Sequence, residues 1–348
     1  MQTIGFSGDS LVTVDNLIHN RLNFSANFKK GHSFVAEFRN RILFGYSART
    51  IPGYGELVNQ YDGAVDMEWL PVDNDDVIIS VIADRLYYDY YSQKWQVRVG
   101  RQRINWGINT TWNPNDLFNN YNIYDFDYEE RQGADAVRVK FFPNYLSSFD
   151  LAYKFTGNFR RDVFAAKYKF NKKNYDYQVL AGKFLEKIAF GGGWAGSIKL
   201  VGFKGEITAF VPYTETGDFN LSASTTFDYS WTSGFYLMGT YLFNSTGADH
   251  PIDPFISRVE VPNAEFLMPA KHNTMISGSY PFSPIFSGNL GVIYSFEINS
   301  LTVFPTLTLN IKSNFDLDMI GQFFFQELPE QSFSNLGNGV FWRLKWSF

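Results

Sequence analysis

The chain has 348 residues, of which 19% are aromatic and only 19% are charged, against about 25% charged residues in an average soluble domain. It contains no stretch approaching the roughly 18 apolar residues that a membrane-spanning helix requires, and no cysteine, which excludes helical membrane proteins, disulfides and cysteine-bound metals. The formal net charge is -5, and no basic run suggests nucleic acid as a partner.

The first ten residues, MQTIGFSGDS, lack the charged and apolar regions of a signal peptide, so we expect the numbering to begin near a mature N-terminus. They include Gly8-Asp9-Ser10-Leu11, the letters of the nucleophile block of GDSL-type hydrolases. That family also needs a histidine three residues after an aspartate near the C-terminus. Here the last histidine is His272, and residue 269 is not acidic. We therefore predict that the protein is not an enzyme and needs no cofactor or metal.

Apolar and polar residues then alternate along most of the chain. Residues 21–29 place Leu22 and Phe24 on one face and Arg21 and Asn23 on the other. The same pattern recurs at 33–44, 136–142, 148–155, 163–170, 221–231, 289–298, 301–309 and 317–325. Alternation at period two is typical of strands with one apolar and one polar face.

The connections between these strands alternate in length. Short turns are predicted near residues 30, 93, 145, 172, 202, 233, 282 and 313. Longer connections are predicted at 46–78, 107–133, 245–269 and 327–337, with tighter ones near 158, 188, 215 and 299, and the run Gly191-Gly192-Gly193 is assigned to a connector. Short turns at one end and long loops at the other indicate an up-and-down antiparallel meander. We predict about 18 strands, or 16 if one weak pair fails.

A soluble β-sandwich also has alternating strands, so period alone does not exclude it. Two features favour a transmembrane β-barrel instead, and we predict that residues 1–348 form one such barrel as a single domain. Phe, Tyr and Trp dominate the apolar faces and cluster at strand ends, as in the aromatic girdles of a lipid-facing wall. In addition, a bilayer allows no unpaired strand edge, so the last strand has to close against the first.

That last strand reads GVFWRLKWSF, from Gly339 to Phe348. Alternating aromatics with a terminal Phe resemble the C-terminal signature of bacterial outer-membrane barrel proteins. The resemblance implies the outer membrane of a Gram-negative bacterium, contact with its lipid and recognition by the barrel-insertion machinery. The expected insertion signal is Trp342, Leu344, Trp346 and Phe348, which together with Val340 would face lipid.

A second resemblance lies in about residues 85–142. Gly100-Arg101-Gln102 ends a predicted strand, Trp106-Gly107 follows, and an Asn-Pro-x-Asp turn spans Asn113 to Asp116. This stretch resembles porin-like barrels of the alginate-export kind and their relatives, and the density of Phe and Tyr suits a Bacteroidetes-type source. The resemblance implies a porin-like fold and names no solute.

Charge is concentrated on the polar faces of the early strands. The residues predicted to line the lumen there are Arg21, Arg39, Arg41, Arg98, Arg138, Lys140, Lys154, Lys167 and Lys169, joined across the closure by Arg343 and Lys345. Barrel interiors are polar in any case, and Glu37, Asp89 or Asp150 could pair some of these groups.

Residues 107–133 form the third long loop, the one that folds into the lumen in general porins. Its acidic residues, Asp125, Asp127, Glu129 and Glu130, stand among aromatics that an exposed loop has little reason to hold. We predict an inward constriction loop opposite the basic wall. The function expected is passive diffusion of small polar or anionic solutes. The alternative is a non-conducting barrel subunit of an outer-membrane assembly, with other envelope proteins as partners.

Overall fold

The computed structural model describes residues 2–7, 12–59, 61, 63–119, 123, 133–214, 217–252, 263–328 and 331–347, with the backbone alone at 2–7, 331 and 332. The described strands are β1 (Gln2–Ser7), β2 (Val12–Asn27), β3 (His32–Gly45), β4 (Glu68–Asp73), β5 (Ile78–Tyr91), β6 (Trp95–Gln102), β7 (Ala134–Asn144), β8 (Ser147–Lys154), β9 (Val163–Lys172), β10 (Tyr175–Phe184), β11 (Lys187–Ile198), β12 (Val201–Pro212), β13 (Asn220–Ser230), β14 (Tyr236–Asn244), β15 (His272–Ser283), β16 (Phe286–Ser295), β17 (Ser300–Lys312), β18 (Phe315–Leu328) and β19 (Gln331–Trp346).

Helical structure is confined, in the described residues, to a 3-10 turn (Lys29–Gly31) and the five-residue helices α1 (Tyr46–Thr50) and α2 (Tyr54–Val58). None of these is long and apolar enough to cross a membrane.

Eighteen of the nineteen described strands form a closed antiparallel barrel. Closure is complete because β1 pairs with both β2 and β19, and β3 pairs directly with β5. The remaining strand, β4, pairs with Ile78 to Ile82 of β5, whereas β6 pairs with the other half of β5, from Leu86 to Tyr91. The predicted all-β, up-and-down barrel of 18 strands is therefore confirmed.

The barrel has a short-turn end and a long-loop end, as the connector lengths predict. At the short-turn end Lys173 and Asn174 join β9 to β10 with φ of 53° and 63°, the left-handed pair that a two-residue hairpin turn requires. Both the start of β1 and the end of β19 lie at this end. The long-loop end carries the connections 46–77, 103–133 and 245–271.

Two predicted connectors are wrong, and three predicted turns are displaced by two or three residues. The turns expected near residues 188, 202 and 282 lie at 185–186, 199–200 and 284–285. The long connector expected at 327–337 is a strand, because β19 begins at Gln331 and pairs with β18 from there on. The run Gly191 to Gly193 lies in the middle of β11, where its backbone bonds hold it in the sheet. Local glycine and polar content resembled a loop in each case, and strand pairing overrode it.

The two faces of the wall follow the predicted alternation. Outward side chains such as Leu22, Phe24 and Phe149 are between 48% and 59% exposed. Many of the outward aromatic rings pack on rings of neighbouring strands, as in the Phe149–Tyr168 pair, whose centroids are 4.5 Å apart. Inward positions hold charged, hydroxyl and amide side chains. The buried apolar clusters lie inside the barrel, around a loop that enters it.

Candidate functional site

The first part of the connection from β6 to β7, residues 103–119, leaves the wall and enters the barrel. These residues are called the inward loop below. The buried apolar side chains of the inward loop are at most 3% exposed: Ile104, Trp106, Trp112, Leu117 and Phe118. On one side they pack against the inward residues Ala152, Ala165, Leu180 and Phe210. On the other side Trp112 packs with Leu242 and Ile293. The inward loop therefore lies within the lumen and contacts the wall from β8 to β16.

One carboxylate on the wall holds the inward loop. Glu206 on β12 is 1% exposed and accepts hydrogen bonds from the backbone N–H groups of Ile108, Asn109 (2.7 Å) and Asn115 (3.0 Å). A loop inside the barrel does not pair with a neighbouring strand, so its backbone N–H groups need other acceptors, and leaving a buried N–H without an acceptor costs free energy. Glu206 satisfies three of them at once.

Glycines in β11 let the inward loop approach the wall. Asn115 donates its amide to the carbonyl of Gly192 (2.9 Å) and accepts from the hydroxyl of Thr208 (2.7 Å). A Cβ at Gly191 would lie 2.5 Å from the Asn115 Oδ1, and one at Gly193 would lie 3.0 Å from its Nδ2. The space that Asn115 occupies therefore exists only because these inward positions carry no side chain.

Trp106 anchors the start of the inward loop in a charged part of the wall. Its indole N–H donates to Asp150 (3.0 Å), and its carbonyl accepts from Gln178 (2.7 Å). Asp150 also accepts hydrogen bonds from two guanidinium nitrogens of Arg138, Nε at 2.9 Å and Nη2 at 2.5 Å. The ammonium of Lys167 lies 5.0 Å from the centre of the Trp106 ring. This cluster ties the loop to β8, β9 and β10.

A second segment, 263–271, enters the lumen from the connection between β14 and β15. The carbonyl of Glu265 accepts hydrogen bonds from the side chains of Asn220 (2.8 Å) and Asn244 (3.1 Å), and its carboxylate is bound by Lys187. Leu267 and Met268 pack with Trp112 of the inward loop. The two segments thus support each other across the lumen.

The basic residues predicted to line the pore occupy inward positions, and most of them meet carboxylates. The ion pairs are Arg39–Asp84 (3.5 Å), Arg98–Asp89 (3.0 Å), Arg138–Asp150 (2.5 Å) and Arg343–Asp318 (2.8 Å). Arg41 donates to the carbonyl of Val58 and to Ser80, Lys345 lies opposite Asp316 in the β18–β19 register, and Lys140 has no ion pair among the described residues. That these groups line the pore stays a prediction.

The arginine of the Gly100-Arg101-Gln102 motif has a structural position. Arg101 is fully buried, donates to Asp135 (2.8 Å), Glu68 (2.9 Å) and the carbonyl of Val65 (2.6 Å), and stacks at 3.7 Å on the ring of Tyr61. Gly100 has a φ of 117°, and a Cβ there would lie 2.3 Å from the carbonyl oxygen of Leu86. Arg101 therefore ties the start of β4 and the residues just before it to the end of β6.

The four acidic residues predicted for the constriction, Asp125, Asp127, Glu129 and Glu130, lie outside the described residues. Sequence reasoning missed Glu206, Asn115 and the inward role of Gly191 and Gly193. Glu206 did carry a signal, since it stands on the polar face of an alternating strand. Nothing in its neighbourhood indicates that it meets a loop about a hundred residues away.

At the chain end, Val340, Trp342, Leu344 and Trp346 are between 39% and 60% exposed on the outward face, and Arg343 points inward to Asp318. The ring of Trp346 stacks on Phe315 of β18 with centroids 5.8 Å apart. Phe348 lies outside the described residues. The role of this face as an insertion signal stays a prediction.

No protein-family profile and no curated protein matches the chain. Its fold is similar to solved outer-membrane proteins of Pseudomonas aeruginosa. OccK8 (OprE) superposes with a TM-score of 0.59 at 10% identity over 98% of this chain and 94% of that one. OpdK gives 0.59 at 9% identity over 99% and 96%, and OccK7 (OpdD) gives 0.58 at 8% over 99% and 96%. The likeness establishes a porin-like outer-membrane β-barrel fold.

Proposed function

We propose that this chain is a channel of the bacterial outer membrane, through which small polar or anionic solutes diffuse passively. The observation that carries the proposal is the inward loop, held by Glu206 across an otherwise polar barrel interior. A loop fixed inside a barrel narrows the lumen, and the groups that line the remaining space then select the solute. The long-loop end would face the outside, and the short-turn end the periplasm.

The charge around Asp150 favours anions. Arg138 binds this carboxylate directly, while Lys167 lies over Trp106 and Lys140 has no ion pair in the described part of the chain. Asp116, which accepts from the backbone N–H of Trp106, is a second carboxylate near Lys167, so the three basic groups outnumber the two carboxylates around Trp106. In a narrow lumen with an effective dielectric near 20, a unit charge at 4 Å is worth about 4 kcal/mol, against about 1 kcal/mol in water. A modest anion preference follows, although the whole chain is acidic.

Conductance of the purified protein in a planar bilayer tests this proposal. We expect stepwise current increases in KCl from unboiled protein, and none from the same preparation after boiling unfolds the barrel. A liposome swelling assay with small neutral and anionic solutes gives the size limit independently. Folded protein that inserts and yields neither current nor swelling would exclude a channel.

The second candidate is a barrel without significant conductance that serves as a subunit of an envelope complex. The observation in its favour is the filling of the lumen, where residues 103–119 and 263–271 pack together through Trp112 and Met268. A closed barrel would give no current and would be recovered from membranes with stoichiometric envelope partners. Conductance therefore separates the two candidates.

Within the porin-like fold, we propose a closer relation to barrels of the alginate-export kind and to Bacteroidetes-type porins, on the strength of residues 85–142. Outer-membrane lipid and the barrel-insertion machinery are the expected partners. The proposed role includes no catalytic step, because passive diffusion needs only a continuous pore lined by polar groups.

A further inference from the structure

A shallow concavity lies on the lumen face of β15, β16 and β17, toward the short-turn end. Its volume is about 260 Å³, and hydroxyl and amide side chains dominate its lining: Ser279, Ser287, Asn289, Thr306 and Thr308. The other lining residues are Tyr280, Pro281 and Gly288, so none of the lining side chains carries a charge. This set is called the hydroxyl patch below. It contrasts with the charged wall of β2 to β9.

The strand register arranges the hydroxyl patch as a grid. Ser279 lies opposite Asn289, which lies opposite Thr306, and Ser287 lies opposite Thr308 in the next inward row. Neighbouring strands are about 4.8 Å apart, and inward rows are about 6.8 Å apart, since alternate residues share a face. Polar groups at these spacings can contact several hydroxyls of one small ligand.

Three hydroxyls of the patch are available to a ligand. Ser279, Ser287 and Thr306 form no side-chain hydrogen bond in the described part of the chain. At the edge, Thr308 donates to Asp318 (2.7 Å), and that carboxylate is neutralised by Arg343 at 2.8 Å. The surroundings therefore offer donors and acceptors without net charge.

We propose that the hydroxyl patch is a binding site for uncharged polyhydroxylated solutes of monosaccharide size. A serine or threonine hydroxyl both donates and accepts, as a sugar hydroxyl does, so bound water can be exchanged for ligand hydroxyls at little cost. An anion finds no cation in the lining, and the volume is below the roughly 300–1,000 Å³ of pockets for drug-sized ligands. The proposal rests on the channel function for access of solute from the lumen.

The test compares two uncharged probes of similar size, sorbitol and triethylene glycol, as blockers of single-channel current in KCl. Sorbitol has six hydroxyls, one on each carbon, whereas triethylene glycol has only two hydroxyls, and its two ether oxygens can only accept. We expect sorbitol to reduce the wild-type conductance more than triethylene glycol does. In a Ser279→Ala, Thr306→Val double variant, the half-blocking concentration of sorbitol should rise about five- to thirtyfold, as expected for the loss of two hydrogen bonds.

The matched control is Thr302→Val, the same substitution on the same face of β17. Thr302 is buried at 3% exposure and lies about 13 Å along the strand from Thr306, so its hydroxyl does not reach the patch. Sorbitol block should be unchanged in this variant. Equal block by both probes in all three proteins would overturn the hydroxyl patch and leave the channel function intact.

A second measurement does not depend on conduction. Saturation-transfer NMR on the detergent-solubilised barrel should show transfer to sorbitol in the wild type and in Thr302→Val, and a loss of most of that transfer in the double variant. A wild-type protein that conducts no ions but shows this pattern would support the site and reject the channel. If the double variant does not fold, each single variant is measured and should weaken block about threefold. Absence of transfer to the wild type would overturn the site.

Discussion

At the scale of single residues, the lumen depends on a few side chains that meet the inward loop. Glu206 is the acceptor for three loop N–H groups, and the inward glycines Gly191 and Gly193 provide the space for Asn115. Each of these is a feature of the wall, yet its effect is on the position of the loop. Substitutions in the wall should therefore alter conduction without touching the loop sequence.

Replacing Glu206 by Gln tests the carboxylate. In the wild type, three loop N–H groups donate to the two carboxylate oxygens of Glu206. In the Gln variant an NH₂ group, which cannot accept, replaces one of these oxygens, so at least one loop N–H loses its acceptor. We expect a larger or less steady single-channel conductance and a loss of about 3 kcal/mol of stability, since hydrogen bonds to charged groups are worth about 1.5–3 kcal/mol each. Glu186→Gln, at the exposed turn between β10 and β11, is the control. If both variants behave as wild type in current and thermal unfolding, Glu206 does not hold the loop.

Gly191→Val and Gly192→Val form a matched pair on adjacent residues with opposite faces. A Cβ at Gly191 would meet Asn115 at 2.5 Å and Leu180 at 2.9 Å, whereas the nearest atom to a Cβ at Gly192 is 3.7 Å away. We expect Gly191→Val to displace the inward loop and to cost about 1–3 kcal/mol through overpacking. Gly192→Val should leave conductance and melting temperature near wild type. Equal effects of the two substitutions would show that loop packing is not the cause.

At the scale of elements, the closing strand β19 has two unlike faces, one toward the lumen and one away from it. The inward side pairs Arg343 with Asp318, and the outward side presents Trp342 and Trp346. Its register with both β18 and β1 removes the last free edges of the sheet. An incomplete β19 would leave unpaired backbone groups in lipid, where each costs several kcal/mol.

Deleting Trp346 to Phe348 tests the chain end. The deletion removes the stack of Trp346 on Phe315 and the proposed insertion signal. We expect the truncated protein to accumulate in the periplasm and to lose the difference in SDS migration between unboiled and boiled samples. Ser347→Ala should assemble normally, because in the described part of the chain Ser347 makes a hydrogen bond only through its backbone N–H, which donates to the carbonyl of Asn314. Normal outer-membrane levels of the truncated chain would refute the signal.

At the scale of the whole molecule, the lumen is divided into unlike sectors. Charged residues concentrate on β2 to β9, and hydroxyl and amide groups on β13 to β17, while the inward loop lies between the walls. The charged sector on β2 to β9 should therefore set the ion preference, and the sector on β13 to β17 should provide the contacts with uncharged solutes.

A Lys140→Gln, Lys167→Gln double variant tests the charged sector. It removes two cations while leaving the Arg138–Asp150 pair in place. Because unit charges act strongly in a narrow lumen, we expect the chloride-to-potassium permeability ratio to fall several-fold. Reversal potentials across a KCl gradient measure this ratio. Lys173→Gln, at the β9–β10 turn, should leave the potential unchanged, and an unchanged potential in the double variant would place the selective groups elsewhere.

The architecture of this protein is largely readable from its sequence. The face of each side chain repeats every two residues in a strand, whatever the strand pairs with, so alternation alone identifies the wall and its outward and inward residues. Connector lengths likewise determine the meander and its two ends. Trp346 facing outward and Arg343 facing inward could be predicted for this reason.

Only the tertiary structure decides what meets inside the barrel. Glu206 and its loop partners are up to 98 residues apart, and the run of glycines resembled a connector until pairing placed it in β11. Ion pairs such as Arg39–Asp84 likewise depend on which strands become neighbours. These contacts join groups that are distant in the chain, and local periodicity carries no information on distance across a lumen. The sequence determines the two faces of the wall because side-chain direction in a strand is a local property. The contacts of the inward loop depend on which strands become neighbours when the barrel closes, and only the tertiary structure decides that.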